Sequence, residues 1–395
     1  MTILKVFKSQ FWRQFWPVLG LGFITLTLVV ALFAHYIAPD KSTYASVQHT
    51  ALSLAKPGTG YWIFYNAKAV STDKTKSGSM PFQDTSITIK DFKFTDTAFY
   101  YHAFMQPEQW QSIPLPKAVF GNRLKAFTYD RINSIYTITL HKRIKTISYS
   151  ASTLQQTLTK HQLKHFVFIL GSDKLGRDYL SRLILGTRVS LGVGLIAVGV
   201  SIALGLFLGS LAGFYGGWLD ALISWFMNVV WSLPTILLVV SISLVLGKGL
   251  FQVFLAIGLT MWVDTARLVR GQIMSLKQRE FIDAAKVLGY SDVRIIIRHI
   301  WPNLWPALLI YASANFSTAI LTEAGLSFLG LGAQPPIPSW GEMISAHKGY
   351  MLLNKAYLVF IPGMAVSLLV LSFTLVSQGI RNALNPKYKN QKPIP

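Results

Sequence analysis

Residues 280–303 read EFIDAAKVLGYSDVRIIIRHIWPN and lie between two long apolar segments. In the first half, apolar residues recur at the i, i+3, i+4 and i+7 positions of a helix: Phe281, Ala284, Ala285 and Leu288. This spacing predicts a short helix with one apolar face. Gly289 is expected to end that helix, and Ser291 is placed to cap a second one.

The second half of this stretch repeats the helical spacing with Val293, Ile296, Ile297 and Ile300. Pro302 then marks the start of a further element. Basic residues surround both helices, and Lys and Arg accumulate in the cytoplasmic loops of membrane proteins. Two short amphipathic helices joined at a glycine, exposed between membrane spans, predict a docking surface for a partner protein.

The composition is that of a membrane protein. Of the 395 residues, 52% are hydrophobic and only 13% are charged, and the mean hydropathy is +0.42. A net charge of +21 would suggest nucleic-acid binding in a soluble protein. In a membrane protein, cytoplasmic loops and anionic lipid account for it, so we expect a lipid bilayer and no nucleic acid. The absence of cysteine excludes disulfides and thiolate metal sites.

Six apolar stretches are long enough to cross a bilayer, at about 16–37, 190–214, 221–246, 250–268, 305–321 and 358–380. Pro234 is expected to kink the third of them. An even number of spans places both termini on one side of the membrane, and the basic loop at 269–303 predicts that this side is cytoplasmic.

Residues 40–165 contain no apolar stretch of spanning length. Polar and apolar residues alternate at 86–90, 135–140 and 144–149, and such alternation predicts half-buried strands. The sequence therefore predicts an all-α polytopic membrane protein with six transmembrane helices and a β-rich extracytoplasmic insert. Its parts are the N-terminus and first helix (1–39), the insert (40–165), and a five-helix core (166–395) that contains the loop at 269–303.

Two further motifs flank the spans. Residues 170–178 read LGSDKLGRD, a turn rich in glycine and charge that precedes the second span. Its candidate residues are Gly171, Asp173, Gly176, Arg177 and Asp178. After the fifth span, residues 322–342 form a stretch rich in glycine and proline that begins with Thr322 and Glu323.

Together these motifs resemble the permease subunits of ABC importers, in particular the C-type subunit of the dipeptide, oligopeptide and nickel branch. The stretch at 280–303 is similar to the EAA loop, whose helices seat in a groove of the ATPase. Here Asp283 stands where Glu is more usual, Trp301 where Leu is commoner, and Ser172 where Thr is usual in the turn at 170–178. The resemblance assigns ATPase coupling to Asp283, Ala284, Ala285, Gly289, Ile300 and Pro302.

The resemblance also implies the rest of the assembly. It implies the type I importer permease fold in the bacterial inner membrane, with both termini cytoplasmic. The partners would be a second permease, two ATPase subunits and an extracytoplasmic substrate-binding protein. ATP and magnesium would bind the ATPases, and this chain would hold no cofactor. The expected function is uptake of di- and oligopeptides driven by ATP hydrolysis.

The sequence predicts no catalytic or metal site. It contains no P-loop, so the chain is not expected to be an enzyme. His161 and His165 have the spacing of a metal pair, but we interpret them as solvated helix histidines because no carboxylates support them. Glu323 fits either a gating or substrate contact or a structural hydrogen bond. Asp264 is expected to pair locally with Arg267 and Arg270.

Two alternatives remain open. Within the same transporter class, the cargo could instead be nickel, a glycoside or an antimicrobial peptide, since a peptide cavity has no readable sequence code. A different class is a membrane-anchored receptor or adhesin that works through the insert. Paired amphipathic helices in a cytoplasmic loop favour the transporter, because a simple anchor does not need them.

Overall fold

The computed structural model describes residues 10–65, 86–140, 147–247 and 249–384. The chain divides into two compact units. One comprises residues 1–46 and 181–395 and is helical in its described part, and the other comprises residues 47–180 and is rich in strands.

The elements are as follows in chain order. The chain starts with α1 (Phe15–Leu32) and α2 (Ala34–Ile37). The strand-rich part contains β1 (Thr59–Tyr65), β2 (Ser86–Phe94), β3 (Ala98–Ala103), β4 (Gln106–Pro114), α3 (Leu115–Phe120), β5 (Leu124–Asp130), β6 (Ile135–Leu140), β7 (Ile147–Ser150), α4 (Ala151–His161) and β8 (Leu163–Phe168). There follow α5 (Tyr179–Tyr215), α6 (Gly217–Trp231), α7 (Thr235–Leu246), α8 (Leu250–Leu276), α9 (Glu280–Val287), α10 (Asp292–Ile295), α11 (Trp301–Phe328), α12 (Trp340–His347) and α13 (Tyr357–Leu384).

The strand-rich unit contains two antiparallel sheets. The strand order is β4-β3-β2-β1-β8 in the five-stranded sheet and β5-β6-β7 in the three-stranded sheet. Strands occupy the alternating segments 86–90 and 135–140, as predicted. The prediction for 144–149 falls partly outside the described residues, where β7 begins at Ile147. His165 lies on strand β8 rather than on a helix, so the interpretation of the two histidines as helix residues is wrong for it.

Tyr136 connects the two sheets of this unit. Its hydroxyl donates hydrogen bonds to the backbone oxygens of Asp96, at 2.7 Å, and Thr97, at 3.1 Å, in the turn between β2 and β3. Burial, with smaller contributions from the charges of Tyr129 and Asp96, raises the pKa of Tyr136 to about 12. The phenol therefore remains a hydrogen-bond donor over the physiological pH range.

Five helical segments among the described residues are long and apolar enough to cross a membrane: Phe15–Leu32, Tyr179–Tyr215, Leu250–Leu276, Asp292–Phe328 and Tyr357–Leu384. A sixth span is formed if α6 and α7 count as one, although they are bent by 94°. The predicted kink at Pro234 is thus a break. Because proline has no N–H to donate, α6 ends at Trp231 and α7 starts anew at Thr235.

Glycines allow α5 and α8 to pack closely. Gly205, Gly209 and Gly213 are spaced four residues apart, so they share one face of α5. A Cβ added at Gly209 would lie 2.6 Å from the backbone oxygen of Ala266, and one at Gly213 would lie 2.8 Å from that of Arg270. Small residues of this kind let helix backbones approach each other in membranes.

We predict that Gly209→Val separates α5 from α8 and destabilises the helical unit, because the added atoms would overlap backbone that cannot move aside. Overpacking of this kind costs about 1–3 kcal/mol or more. The measurement is the thermal unfolding temperature of the purified chain in detergent. Gly199→Val is the matched control, since nothing lies within 4 Å of a Cβ added there on the same helix. Equal unfolding temperatures for the two variants would contradict the prediction.

Candidate functional site

The break at Gly289 has the geometry of a Schellman motif. Gly289 has a positive φ of 74°. Its N–H donates to the backbone oxygen of Lys286 at 2.9 Å, and the N–H of Tyr290 donates to that of Ala285 at 3.1 Å. These are the two hydrogen bonds that close a helix at a left-handed residue. Glycine adopts this conformation without steric cost, so the predicted end of the first helix is present.

The second predicted short helix is not separate from the membrane helix that follows. After α10, a π-helical turn at Ile296–Ile300 runs directly into α11. Ser291 occupies the N-cap position, although its hydroxyl makes no capping hydrogen bond within the described structure. Pro302 lies in the first turn of α11, where its missing N–H leaves the helix uninterrupted.

The predicted apolar face of α9 is divided between two directions. Ala285 and its neighbour Ile282 are buried inside the chain, whereas Phe281, Ala284 and Leu288 are exposed. The prediction of one shared face for Phe281, Ala284, Ala285 and Leu288 is therefore wrong, because α9 uses the side that contains Ile282 to pack on its own chain. The buried side joins a cluster with Ile273, Ile295, Ile296 and Ile300.

The exposed side carries several apolar side chains. We call it the loop face and define it as Phe281, Ala284, Val287, Leu288, Val293 and Ile297. Val287 and Leu288 are 87% and 70% exposed. Of the predicted coupling residues, Asp283, Ala284, Gly289 and Pro302 are exposed, whereas Ala285 and Ile300 are buried. The sequence analysis did not identify Val287, because this residue does not follow the i, i+3, i+4, i+7 spacing. Its place on the exposed surface becomes clear only once the buried side of α9 is known.

The motif at 170–178 folds into a buried turn. The Asp173 carboxylate accepts backbone hydrogen bonds from Leu175, at 2.8 Å, and Arg177, at 2.9 Å, and its second oxygen lies 2.5 Å from Arg177 Nε. Gly176 has a φ of 71°, and an added Cβ would overlap the backbone of His49. Gly171 also has a positive φ, and Ser172 forms an isolated bridge with Asp178. The predicted residues come together as a structural turn with its carboxylate already engaged.

Glu323 is also engaged. It is 1% exposed, and its Oε1 accepts hydrogen bonds from Ser327 Oγ, at 2.7 Å, and Ser339 Oγ, at 2.9 Å. Ser339 in turn caps α12 by accepting from the backbone N–H of Glu342 at 3.0 Å. The carboxylate therefore connects the end of α11 to the start of α12. This geometry is that of a buried structural hydrogen-bond network.

A second buried group lies next to this network. Arg182 on α5 forms an ion pair with Glu342 at 2.9 Å, and the Arg182 side chain is 1% exposed. Trp340 Nε1 donates to the backbone oxygen of Leu183 at 3.0 Å. Sequence reasoning did not find this pair, because its members are 160 residues apart. The available signal was a basic residue in a membrane helix, which needs an acidic partner.

The expected pairing of Asp264 is wrong. Arg270 instead makes a two-point contact with Asp220, at 2.5 and 2.6 Å. Arg267 donates to Asn228 Oδ1 at 2.8 Å and lies over the Trp231 ring. Both arginines therefore bind α6. The sequence around Asp264 does not show that their partners lie on this other helix. Within the described ranges no ion pair involves Asp264, which is exposed.

One family model and several known proteins are similar to this chain. The family described as "Binding-protein-dependent transport system inner membrane component" matches residues 205–390. The glutathione transport system permease protein GsiD of Pectobacterium atrosepticum is 41% identical over 221 residues, covering 56% of this chain and 73% of that protein. The dipeptide transport system permease protein DppC of Alkalihalophilus pseudofirmus is 39% identical over 243 residues, covering 62% and 79%.

One solved structure, an inward-facing MetNI methionine ABC transporter, is 20% identical, with a TM-score of 0.36, and covers 49% of this chain and 97% of that chain. The family assignment rests on the sequence relatives, and the family model covers residues 205–390, which include the loop at 280–303. The chain belongs to the binding-protein-dependent transport system inner membrane component family and is a multi-pass ABC importer permease, as its motifs indicated.

Proposed function

We propose that this chain is the transmembrane subunit of an importer for di- and oligopeptides, driven by ATP hydrolysis on partner ATPases. The observation that carries the proposal is the loop face, an exposed apolar surface on a segment that runs without interruption into a membrane helix. An exposed apolar patch rimmed by polar residues marks a site of interaction with a protein or a membrane, and the resemblance of this stretch to the EAA loop favours a protein partner.

The buried side of α9 explains how a movement of the loop would reach the membrane helices. Ile282 and Ala285 on α9 share a buried cluster with Ile273 of α8 and with Leu304 of α11. Packed interiors have low compressibility and transmit displacement. A partner that moves the loop face would therefore move α8 and α11 as well, and the spans would tilt to alternate access to the cargo.

The proposed topology has six spans, with α6 and α7 counted as one broken span. Both termini and the loop at 280–303 lie in the cytoplasm, and the strand-rich unit lies outside. Basic residues around the loop support this orientation. The partners are a second permease, two ATPases that hold ATP and magnesium, and an extracytoplasmic binding protein. This chain itself binds no cofactor.

Peptide cargo is supported by the named relatives, one a dipeptide permease and the other a permease for glutathione, which is itself a peptide. We further propose that Glu323 and the turn at 170–178 have a structural role and stabilise the outer side of the protein. The carboxylates of Glu323 and Asp173 already accept hydrogen bonds from the chain, and buried groups of this kind specify packing rather than bind cargo.

We predict that Leu288→Asp lowers peptide uptake at least tenfold, because a charge would be buried against the ATPase without a partner. The measurement is uptake of trialanine by proteoliposomes that contain the complete transporter. The amount of inserted chain should equal that of the unmodified protein, since Leu288 is exposed and does not contribute to the core.

Ile132→Asp is the matched control, because Ile132 is 93% exposed in the turn between β5 and β6, remote in sequence from the loop face. It should leave uptake within about twofold, as surface substitutions change stability little. Normal uptake by Leu288→Asp would rule out the loop face as the coupling surface.

We predict that the tagged chain purified in mild detergent brings along one or two P-loop ATPases and a second six-span permease. Specific interfaces bury about 1,000 Å² or more, and we expect an interface of that size to persist in mild detergent. Mass spectrometry of the purified material identifies the partners. Recovery of the chain alone, even after crosslinking at Asp283, would favour the receptor or adhesin alternative instead.

We predict that Glu323→Gln keeps uptake within about twofold, because an amide oxygen can accept both serine hydrogen bonds. Glu323→Ala should lower the thermal unfolding temperature, since it leaves both hydroxyls unpaired at about 1–3 kcal/mol each. Uptake and unfolding are measured on both variants. If Glu323→Gln abolished uptake while folding normally, Glu323 would have a charge-dependent role in gating or cargo binding.

A further inference from the structure

Asp264 is a carboxylate in a place where a charge is costly. It lies on α8, a helix long and apolar enough to span the membrane, toward the cytoplasmic end of the predicted span at 250–268. Ionisable side chains within membrane helices usually pair with an opposite charge or face a water-filled cavity. The neighbouring Arg267 and Arg270 are bound to α6, and Asp264 borders a cavity instead.

Such a cavity exists beside Asp264. Its volume is about 230 Å³, enough to hold several water molecules. It lies at the break between α6 and α7, where Trp231 and Leu233 line one side, and residues of α8 and α11 line the others. Discontinuous helices line the binding sites of many transporters, because broken helix ends expose polar groups at membrane depth.

The residues that line this cavity include one charged and several polar side chains. Asp264 is the charged residue among the described lining residues, and the polar ones are Thr235, Thr260, Asn315 and Thr318. The hydroxyls of Thr260 and Thr318 donate to backbone oxygens of their own helices, at 2.8 and 3.4 Å. They therefore present lone pairs rather than protons. Asn315 offers an amide oxygen as well as N–H donors, and its side chain hydrogen-bonds Tyr311, which also interacts electrostatically with Asp264. A carboxylate with hydroxyl and amide oxygens beside it can bind a cation that donates several hydrogen bonds.

We propose that Asp264, with Thr260 and Asn315, forms a site that binds the primary ammonium group of the cargo during translocation. The inference rests on the proposed function, since a free N-terminus supplies this group in a peptide. An ammonium group donates three hydrogen bonds, which matches a carboxylate flanked by neutral oxygens. Asp264 is then a specificity-determining residue of the translocation path.

Water access is tested by thiol labelling. The chain has no cysteine, so Asp264→Cys introduces the only thiol of this subunit. The probe is cationic aminoethyl methanethiosulfonate, applied to the assembled transporter and read by the mass of this chain. We expect Asp264→Cys to react at least tenfold faster than Leu371→Cys, an exposed apolar position within α13. An unreactive thiol at position 264 would overturn the site.

Charge recognition is tested by trialanine uptake in proteoliposomes with the complete transporter. We expect Asp264→Asn to raise the KM for uptake about 10- to 100-fold, as for loss of one charge-assisted hydrogen bond. Asp264→Glu should recover part of the loss, which a purely steric role would not predict. Asp91→Asn makes the same chemical change at an exposed position of β2 and should leave uptake unchanged.

The outcomes of these experiments distinguish failure of the Asp264 site from failure of the proposed function. Unchanged uptake by Asp264→Asn in an active transporter would overturn the site and leave the importer intact. Loss of the second permease on purification of Asp264→Asn would overturn it too, because Asp264 would then pair across the subunit interface. If the unmodified transporter took up no peptide, the proposed cargo would fail, and the labelling result would still decide whether Asp264 faces an aqueous path.

Discussion

The packing of α9 on its own chain determines which surface of residues 280–303 remains for a partner. Ile282 and Ala285 are buried with Ile273 and Ile300, and this orients Leu288 outward. The apolar area that an ATPase could cover is therefore a consequence of how the loop is seated. The same contacts attach the loop to α8 and α11. They therefore hold the loop in place and would also transmit its movement to the membrane helices.

The helices behind the loop depend on a second constraint, the close approach of α5 and α8. Within a bilayer, the hydrophobic effect does not drive helices together, so contact area and interhelical hydrogen bonds must do so. Glycines such as Gly209 bring the backbones together, and Ser201 Oγ adds a hydrogen bond to the backbone oxygen of Met261 at 2.9 Å. This contact holds α8 in position, and α8 carries both the base of the loop and Asp264.

The charged groups of the helical unit fall into two kinds. Glu323 and Arg182 are buried, Glu342 is partly buried, and all three are bonded to the chain, so they stabilise one arrangement of α5, α11 and α12. Asp264 is exposed at a cavity beside a broken helix. Burial and existing partners thus distinguish structural carboxylates from one available to a ligand, a distinction that residue type alone does not make.

The sequence by itself determined the membrane class, the helix break at Gly289 and the strands at 86–90 and 135–140, because apolar length, a left-handed turn and period-2 alternation are local properties. It also determined the family, through motifs at fixed spacing. Only the tertiary structure decided that Ala285 faces inward, that Pro234 breaks its helix by 94°, and that the arginines near Asp264 bind Asp220 and Asn228. The arginine contacts depend on partners 39 and 50 residues away in the chain, and the orientation of Ala285 depends on packing against other helices, which no local pattern specifies.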